Sequence, residues 1–193
     1  QNQTTESKIV ASLEKISQAF RVLLWQESRE YSLSPIQVQV LIFLLHHSEE
    51  KRKVSYLAGE FNMTKATISD TVKALDQKGL IEKAYEPNDT RSYVIHLTER
   101  GREMAEKTSH FTRELHTPID KLHAEDKENL LLSLLNIIRH LNRAGVITVP
   151  RMCMTCTYYR SSENGQKHFC KLLNQHLQVT DLRIDCPEHK LKV

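Results

Sequence analysis

The chain has 193 residues, 39% hydrophobic and 26% charged, with a net charge of +3 and a pI near 8.6. That mix excludes wholesale disorder and allows one large or two small domains. The small net charge excludes a strongly polyanionic or polycationic chain, so where the charge sits matters more than its sum.

The first residues, QNQTTESKIV, lack the basic start and apolar block of a secretory leader. The longest apolar run, Val40 to Leu45, is too short to span a bilayer. A cytoplasmic location and no membrane partner are the expectation. No P-loop, dinucleotide-binding, zinc-protease or serine-hydrolase motif occurs, so nothing points to an enzyme.

In chain order, Ser7 to Arg29 predicts an amphipathic helix, with Ile9, Leu13, Ile16, Phe20, Leu23 and Leu24 at three- and four-residue spacing. Ser34, Pro35 and Gln37 form a capping signature for a buried helix over Pro35 to His47. A short helix over Val54 to Phe61, a tight turn and a longer helix over Thr64 to Gln77 follow, with Gly79 placed for a left-handed C-terminal residue. In the longer helix Ile68, Val72 and Leu75 make a narrow inward stripe, and the rest is short, polar or basic. One helix committed inward and the next presenting such a face outward is the helix-turn-helix pattern.

GLIEKAYE and RSYVIHLT read as a hairpin around the turn PNDT. Thr98 caps a helix expected to run to the region before Pro118. The last helix of this part spans about Ala124 to Asn142 and is apolar over most of its circumference, with Leu131, Leu134, Leu135, Ile138 and Leu141 central. The neighbouring helices of one subunit offer it limited cover, so a partner subunit is the expected complement.

These residues resemble the MarR family of winged helix-turn-helix regulators. The resemblance is carried by LAGEFNMTKATISDTVKALDQKGLIEKAYEPNDTRSYVIHLTERG, Leu57 to Gly101, with its L-x-x-K-G-L-I at Leu75 to Ile81, D-x-R at Asp89 to Arg91 and L-T-x-x-G at Leu97 to Gly101. It extends over roughly Ser7 to Arg143. It implies a mainly α, α+β winged-helix fold and a homodimer on double-stranded DNA at a palindromic operator, most simply as a repressor. Residues 1–33 and 99–148 would form the helical dimerisation region and 34–98 the DNA-binding domain.

Thr64, Lys65, Thr67, Ser69 and Lys73 would reach bases or phosphates in a major groove. Arg91 would enter a narrow minor groove, oriented by Asp89. Charge location agrees: residues 51–83 hold seven Lys/Arg against four Asp/Glu, a surplus of three. The family also implies room for a small-molecule effector, for which Trp25, Tyr31 and Phe43 are candidate lining, although core packing accounts for the same residues. In one respect the chain departs from the family: His123 stands where the last helix is often capped by Ser or Thr.

Residues 149–193 lie beyond the resemblance and hold all four cysteines, Cys153-x2-Cys156-x13-Cys170-x15-Cys186. Thiols clustered in a cytoplasmic chain point to metal or redox chemistry rather than disulfides. Four thiolates can surround one tetrahedral Zn2+, which would stabilise a segment too short to bury much core. The competing expectation is a 4Fe-4S cluster in a redox- or iron-sensing regulator, with Cys186-Pro187 matching the closing pair of ferredoxin-type motifs. A C-x-x-C thiol oxidoreductase is a remote third, since it would normally sit in a βαβ context. His168 and His189 lie near the last cysteines and are expected to support the site rather than ligate.

Overall fold

The computed structural model describes residues 4–86, 89–162 and 167–192, and at positions 86 and 89–91 it describes the backbone only. The expected wing turn at Pro87 and Asn88 lies outside the described residues. The chain forms two compact units, residues 1–58 with 63–118, and residues 59–62 with 119–193.

The first unit begins with α1 (Thr5–Glu30), whose Thr4 side chain accepts the Ser7 N–H. α2 (Pro35–His46) has the full capping box: the Ser34 hydroxyl accepts from the Gln37 N–H, and the Ser34 N–H donates to the Gln37 side chain. Val38, Val40, Leu41, Phe43 and Leu44 of α2 are buried, and the helix packs against α1, α4 (Lys65–Gln77), α5 (Glu99–Thr108) and β2 (Asp89–Leu97). It is the central post of this unit. α3 (Val54–Glu60) adds Leu57 and Ala58 to the core.

Thr64 caps α4, and Ile68, Thr71, Val72 and Leu75 are buried at helical spacing. Gly79 then takes φ +67°, and the Leu80 N–H donates back to Leu75 O, so the helix stops where the sequence predicts. β1 (Ile81–Glu86) pairs with β2 in an antiparallel register from Ile81 opposite Leu97, with an irregularity at Tyr85/Glu86.

Thr98 caps α5 as expected, but the single helix predicted from there toward Pro118 is broken. α5 ends at Thr108, a 3-10 turn covers Ser109–Thr112, and α6 runs Arg113–Asp120 with Pro118 inside it. The cause is local. The buried Thr108 hydroxyl donates to the carbonyls of Met104 and Ala105, and the Ser109 hydroxyl donates to Glu106 O. Such back-bonding competes with the helical ladder and bends it.

The second unit is built on α7 (Ala124–Arg143). His123 is its N-cap and makes no side-chain capping bond. Leu135, Met152, Met154 and Leu182 form a buried cluster, with Leu131, Leu132, Ile138, Cys153, Tyr159 and Leu177 packed on it. The limited cover predicted for α7 within one subunit is therefore supplemented by the chain's own tail. Leu130 and Ile137 remain exposed. Beyond α7 lie a 3-10 turn at Cys153–Thr155 and a small antiparallel sheet of β3 (Tyr159–Ser161), β4 (His168–Cys170) and β5 (Gln175–Leu177). Residues 59–62, the turn between α3 and α4, fold with this unit, and Asn62 there adopts φ +51°.

Candidate nucleic-acid interface and cysteine cluster

On α4, Lys65, Thr67, Ser69 and Lys73 are exposed, opposite the buried stripe. The Thr64 hydroxyl accepts the Thr67 N–H at 3.1 Å and meets the Thr67 hydroxyl at 2.9 Å. The Thr64 hydroxyl thus caps the helix and bonds the Thr67 hydroxyl, and Lys65, Ser69 and Lys73 are exposed beside them. Asp89 and Arg91 belong to β2, and their side chains lie outside the described residues.

Lys83, counted in the local positive surplus, bonds Asp76 at 2.7 Å and so ties β1 to the end of α4. That hydrogen bond raises the Lys83 pKa above its ordinary value, with burial opposing it. It braces the wing rather than offering a free cation.

Between α3, α4 and β2 a hollow of about 290 Å³ is lined by Lys53, Ser55, Lys65, Ser69, Ser92 and Tyr93, among others. Two ammonium groups and four hydroxyls around one hollow suit a phosphate's oxygens. Lys53, Ser55 and Ser92 were missed by the reading of α4 alone. The basic triplet Lys51-Arg52-Lys53 directly before α3 is the signal that points to them.

A second hollow of the first unit, about 420 Å³, places Glu27 and Glu30 of α1 and its C-cap Tyr31 near Lys107, His110 and Arg113. The trio predicted for an effector does not assemble. Tyr31 lines this hollow, Trp25 is 59% exposed elsewhere on α1, and Phe43 is core, stacked on His47 at 3.7 Å. Six residues at about 100° each put Trp25 and Tyr31 on different helix faces. Burial, then the neighbouring Glu30, raises the pKa of Glu27, and Arg113 and His110 partly offset this.

All four cysteines are free thiols. Burial pushes the Cys153 thiol up, and Cys186, Cys170 and Cys156 each add to the shift, whereas the Arg183 N–H donated to its sulfur at 3.2 Å opposes it. The four sulfurs therefore share one neighbourhood. The backbone draws them there: the Cys156 N–H closes a turn onto Cys153 O, the Cys186 N–H donates to Arg151 O, and the His189 N–H donates to Cys186 O. Among the described residues, no three His, Cys, Asp or Glu side chains form a ready metal-ligand group.

Four thiols are the donor type that a tetrathiolate-held ion requires. His168 is buried and shares a 2.6 Å hydrogen bond with the Tyr159 hydroxyl, and burial holds its pKa below the usual value. His189 is 3.0 Å from the Thr155 hydroxyl. Both imidazoles thus bond hydroxyls next to the cluster. The C-x-x-C pair opens a 3-10 turn followed by short antiparallel strands, not the βαβ setting of a thiol oxidoreductase.

Residues 31–92 match the model of the MarR family. The HTH-type transcriptional regulator BilQ of Clostridioides difficile (strain CD3) is 26% identical over 106 residues, 54% of this chain and 72% of that protein. The transcriptional regulator AdcR of Streptococcus pneumoniae serotype 2 (strain D39) is 29% identical over 86 residues, 45% of this chain and 57% of that one. Among solved structures, the Staphylococcus aureus MepR–DNA complex has a TM-score of 0.58 at 24% identity and covers 72% of this chain and 99% of its own. A MarR transcriptional regulator from Methanosarcina mazei Go1 has a TM-score of 0.57 at 17% identity, with 68% and 96% covered. The relatives are transcriptional regulators, not enzymes. Among the described residues no helix is long and apolar enough to cross a membrane. Over residues 31–92 the chain is thus similar to the MarR family.

Proposed function

We propose that this chain is a sequence-specific transcriptional regulator that binds double-stranded DNA as a homodimer, with α4 in a major groove and the wing at an adjacent minor groove. Repression of the bound promoter is the simplest outcome. The observation that carries the reading is the split face of α4: Ile68, Val72 and Leu75 inward, and Lys65, Ser69 and Lys73 outward beside a phosphate-sized hollow. The outward side chains can read base edges, and the hollow can fix register on the backbone. Ile9, Ile16 and Phe20 leave an apolar stripe exposed on α1, which a second subunit would cover. A DNA ligand implies work inside the cell.

Selection of duplexes from a random pool by the full chain tests this. A palindromic site with half-sites about one helical turn apart is the expected result. Arg91→Ala should weaken binding and flatten its salt dependence. Enrichment of no sequence would overturn the proposal.

In the same reading Cys153, Cys156, Cys170 and Cys186 hold Zn2+, which supplies a cross-link through four thiolates. Metal analysis and a visible spectrum after anaerobic purification decide this: colourless protein with one zinc per chain supports it. Iron with inorganic sulfide replaces it with a cluster-bearing sensor.

A further inference from the structure

The ladder between β3 and β4 runs one residue past the strand ends, since the Ser162 N–H donates to Lys167 O and the Lys171 N–H donates to Tyr158 O. Strand alternation therefore sorts the three-stranded sheet into two faces. Tyr159, His168 and Leu177 belong to the inward one: Tyr159 and Leu177 pack on the Leu135 cluster, and His168 is buried. The outward face carries Tyr158 and Arg160 on the β3 side, Lys167, Phe169 and Lys171 along β4, and His176 on β5.

Register turns this face into a row. Arg160 lies opposite Phe169, and Phe169 opposite His176. The Phe169 and His176 rings meet edge to face, with centroids 5.1 Å apart and planes at 70°. The Arg160 Nη1 donates to Thr157 O and Tyr159 O, which holds the guanidinium along its own strand. Lys167 and Lys171 flank the half-buried Phe169 at two residues on either side, and both are exposed. The Lys190 ammonium, 5.7 Å from the centre of the Tyr158 ring, adds a fourth cation at the β3 edge. The other described positions of the ladder on this face, 162, 174 and 178, are Ser, Asn and Gln, so none of its described strand positions is a carboxylate.

Cations gathered on one face with no anion among them repel one another, and a polyanion relieves that repulsion. An aromatic ring at their centre asks for more than phosphate. Unpaired bases stack on such rings while nearby cations track the backbone, whereas a duplex keeps its base faces inside its own stack. We propose that the outer face of the β3–β4–β5 sheet binds single-stranded DNA, with a base stacked on Phe169 and the adjoining phosphates held by Arg160, Lys167 and Lys171. Only the choice of DNA over RNA rests on the regulator reading above. The stacking face itself depends neither on α4 nor on an ion at the cysteines.

The test uses the full chain and the fluorescence anisotropy of a labelled DNA single strand of about 12 nucleotides, within the usual site size. Phe169→Leu keeps an apolar side chain but removes the ring, and should weaken strand binding about tenfold while duplex binding is unchanged. Lys167→Gln and Lys171→Gln should each lower the salt slope of strand binding by about 0.7. If protease digestion shows that Phe169→Leu unfolds the tail, the two exposed lysines decide. No strand binding by the wild type, unchanged binding in a folded Phe169→Leu chain, or displacement of the strand by its duplex as readily as by itself overturns the proposal. Tighter binding of RNA of the same sequence overturns the choice of DNA. Displacement by polyglutamate gives the face to an acidic protein, and a changed oligomeric state in the lysine variants gives it to a second copy. Failure to select any duplex from a random pool removes the α4 reading and leaves this one standing.

Discussion

Gly101 is the fifth and last position of the Leu97-Thr98-x-x-Gly101 motif, and its replacement by alanine sets two effects against each other. Gly101 lies in the first turn of α5, where alanine is favoured over glycine by about 1 kcal/mol through helix propensity. Against that, an added β-carbon would sit 1.8 Å from Leu80 O and 2.8 Å from Leu80 C, where real β-carbon contacts essentially never fall below 3.0 Å. The obstruction is backbone, so no rotamer change relieves it. Leu80 is itself buried, and its carbonyl already accepts the Thr98 N–H. Clearing the clash means moving the start of α5 or the entry to β1 by about 1 Å, which exceeds the usual overpacking cost of about 1–3 kcal/mol.

The clash wins over the propensity gain. Gly101→Ala should lose about 2 kcal/mol or more, a fall of roughly 6–12 °C in Tm for a unit of this size. Gly59→Ala is the control, because its added carbon meets only the Val149 side chain at 3.5 Å, an ordinary contact. Urea and thermal unfolding followed by circular dichroism measure both. A Gly101→Ala protein as stable as wild type, or more so, would refute the close docking of α5 on Leu80.

Three other substitutions probe separate parts of the molecule. Leu135→Ala empties the centre of the cluster with Met152, Met154 and Leu182 and should cost about 2–5 kcal/mol in urea unfolding. Protease sensitivity of residues 150–192 should rise with it, and an effect near zero would mean the tail does not share the α7 core. Glu27→Gln should raise Tm at pH 7 and leave it unchanged near pH 4. The Glu27 pKa is raised in the folded chain, so its favourable contribution is present at low pH and is lost as pH rises from the ordinary carboxylate value through the folded one. A Tm gain independent of pH would contradict that origin. Lys53→Ala and Lys65→Ala should each lower the salt slope of DNA binding by about one and weaken selected and random duplexes alike. A change in sequence preference would assign Lys65 to bases instead.

What could be read from the sequence was whatever is decided within a turn or two of chain. Ser34, Pro35 and Gln37 build a capping box from four consecutive positions, and Thr64, Gly79 and Thr98 mark helix ends by chemistry that acts over three or four residues. The stripe of Ile68, Val72 and Leu75 is periodic, so the outward face of α4 followed from it. The break after Thr108 did not, because it depends on a hydroxyl turning back to Met104 O instead of to solvent. Met152 and Met154 flank Cys153 with no periodic signal of their own, and only their meeting with Leu135 makes them core. The pairing of Arg151 with Glu60 spans too much chain for any spacing rule to find. Trp25, Tyr31 and Phe43 were grouped by size and aromaticity, and helix geometry separated them.

The cluster around Leu135 also decides where this molecule can be cut. A break after Thr148 follows the composition boundary and removes every cysteine, yet it strips Met152, Met154 and Leu182 from α7 and bares Leu131, Leu135 and Ile138 to water. A shortened chain of that kind reports on a damaged helix as much as on missing sulfur. Conversely, the last 45 residues grafted onto another protein would arrive without the leucine ridge they fold on.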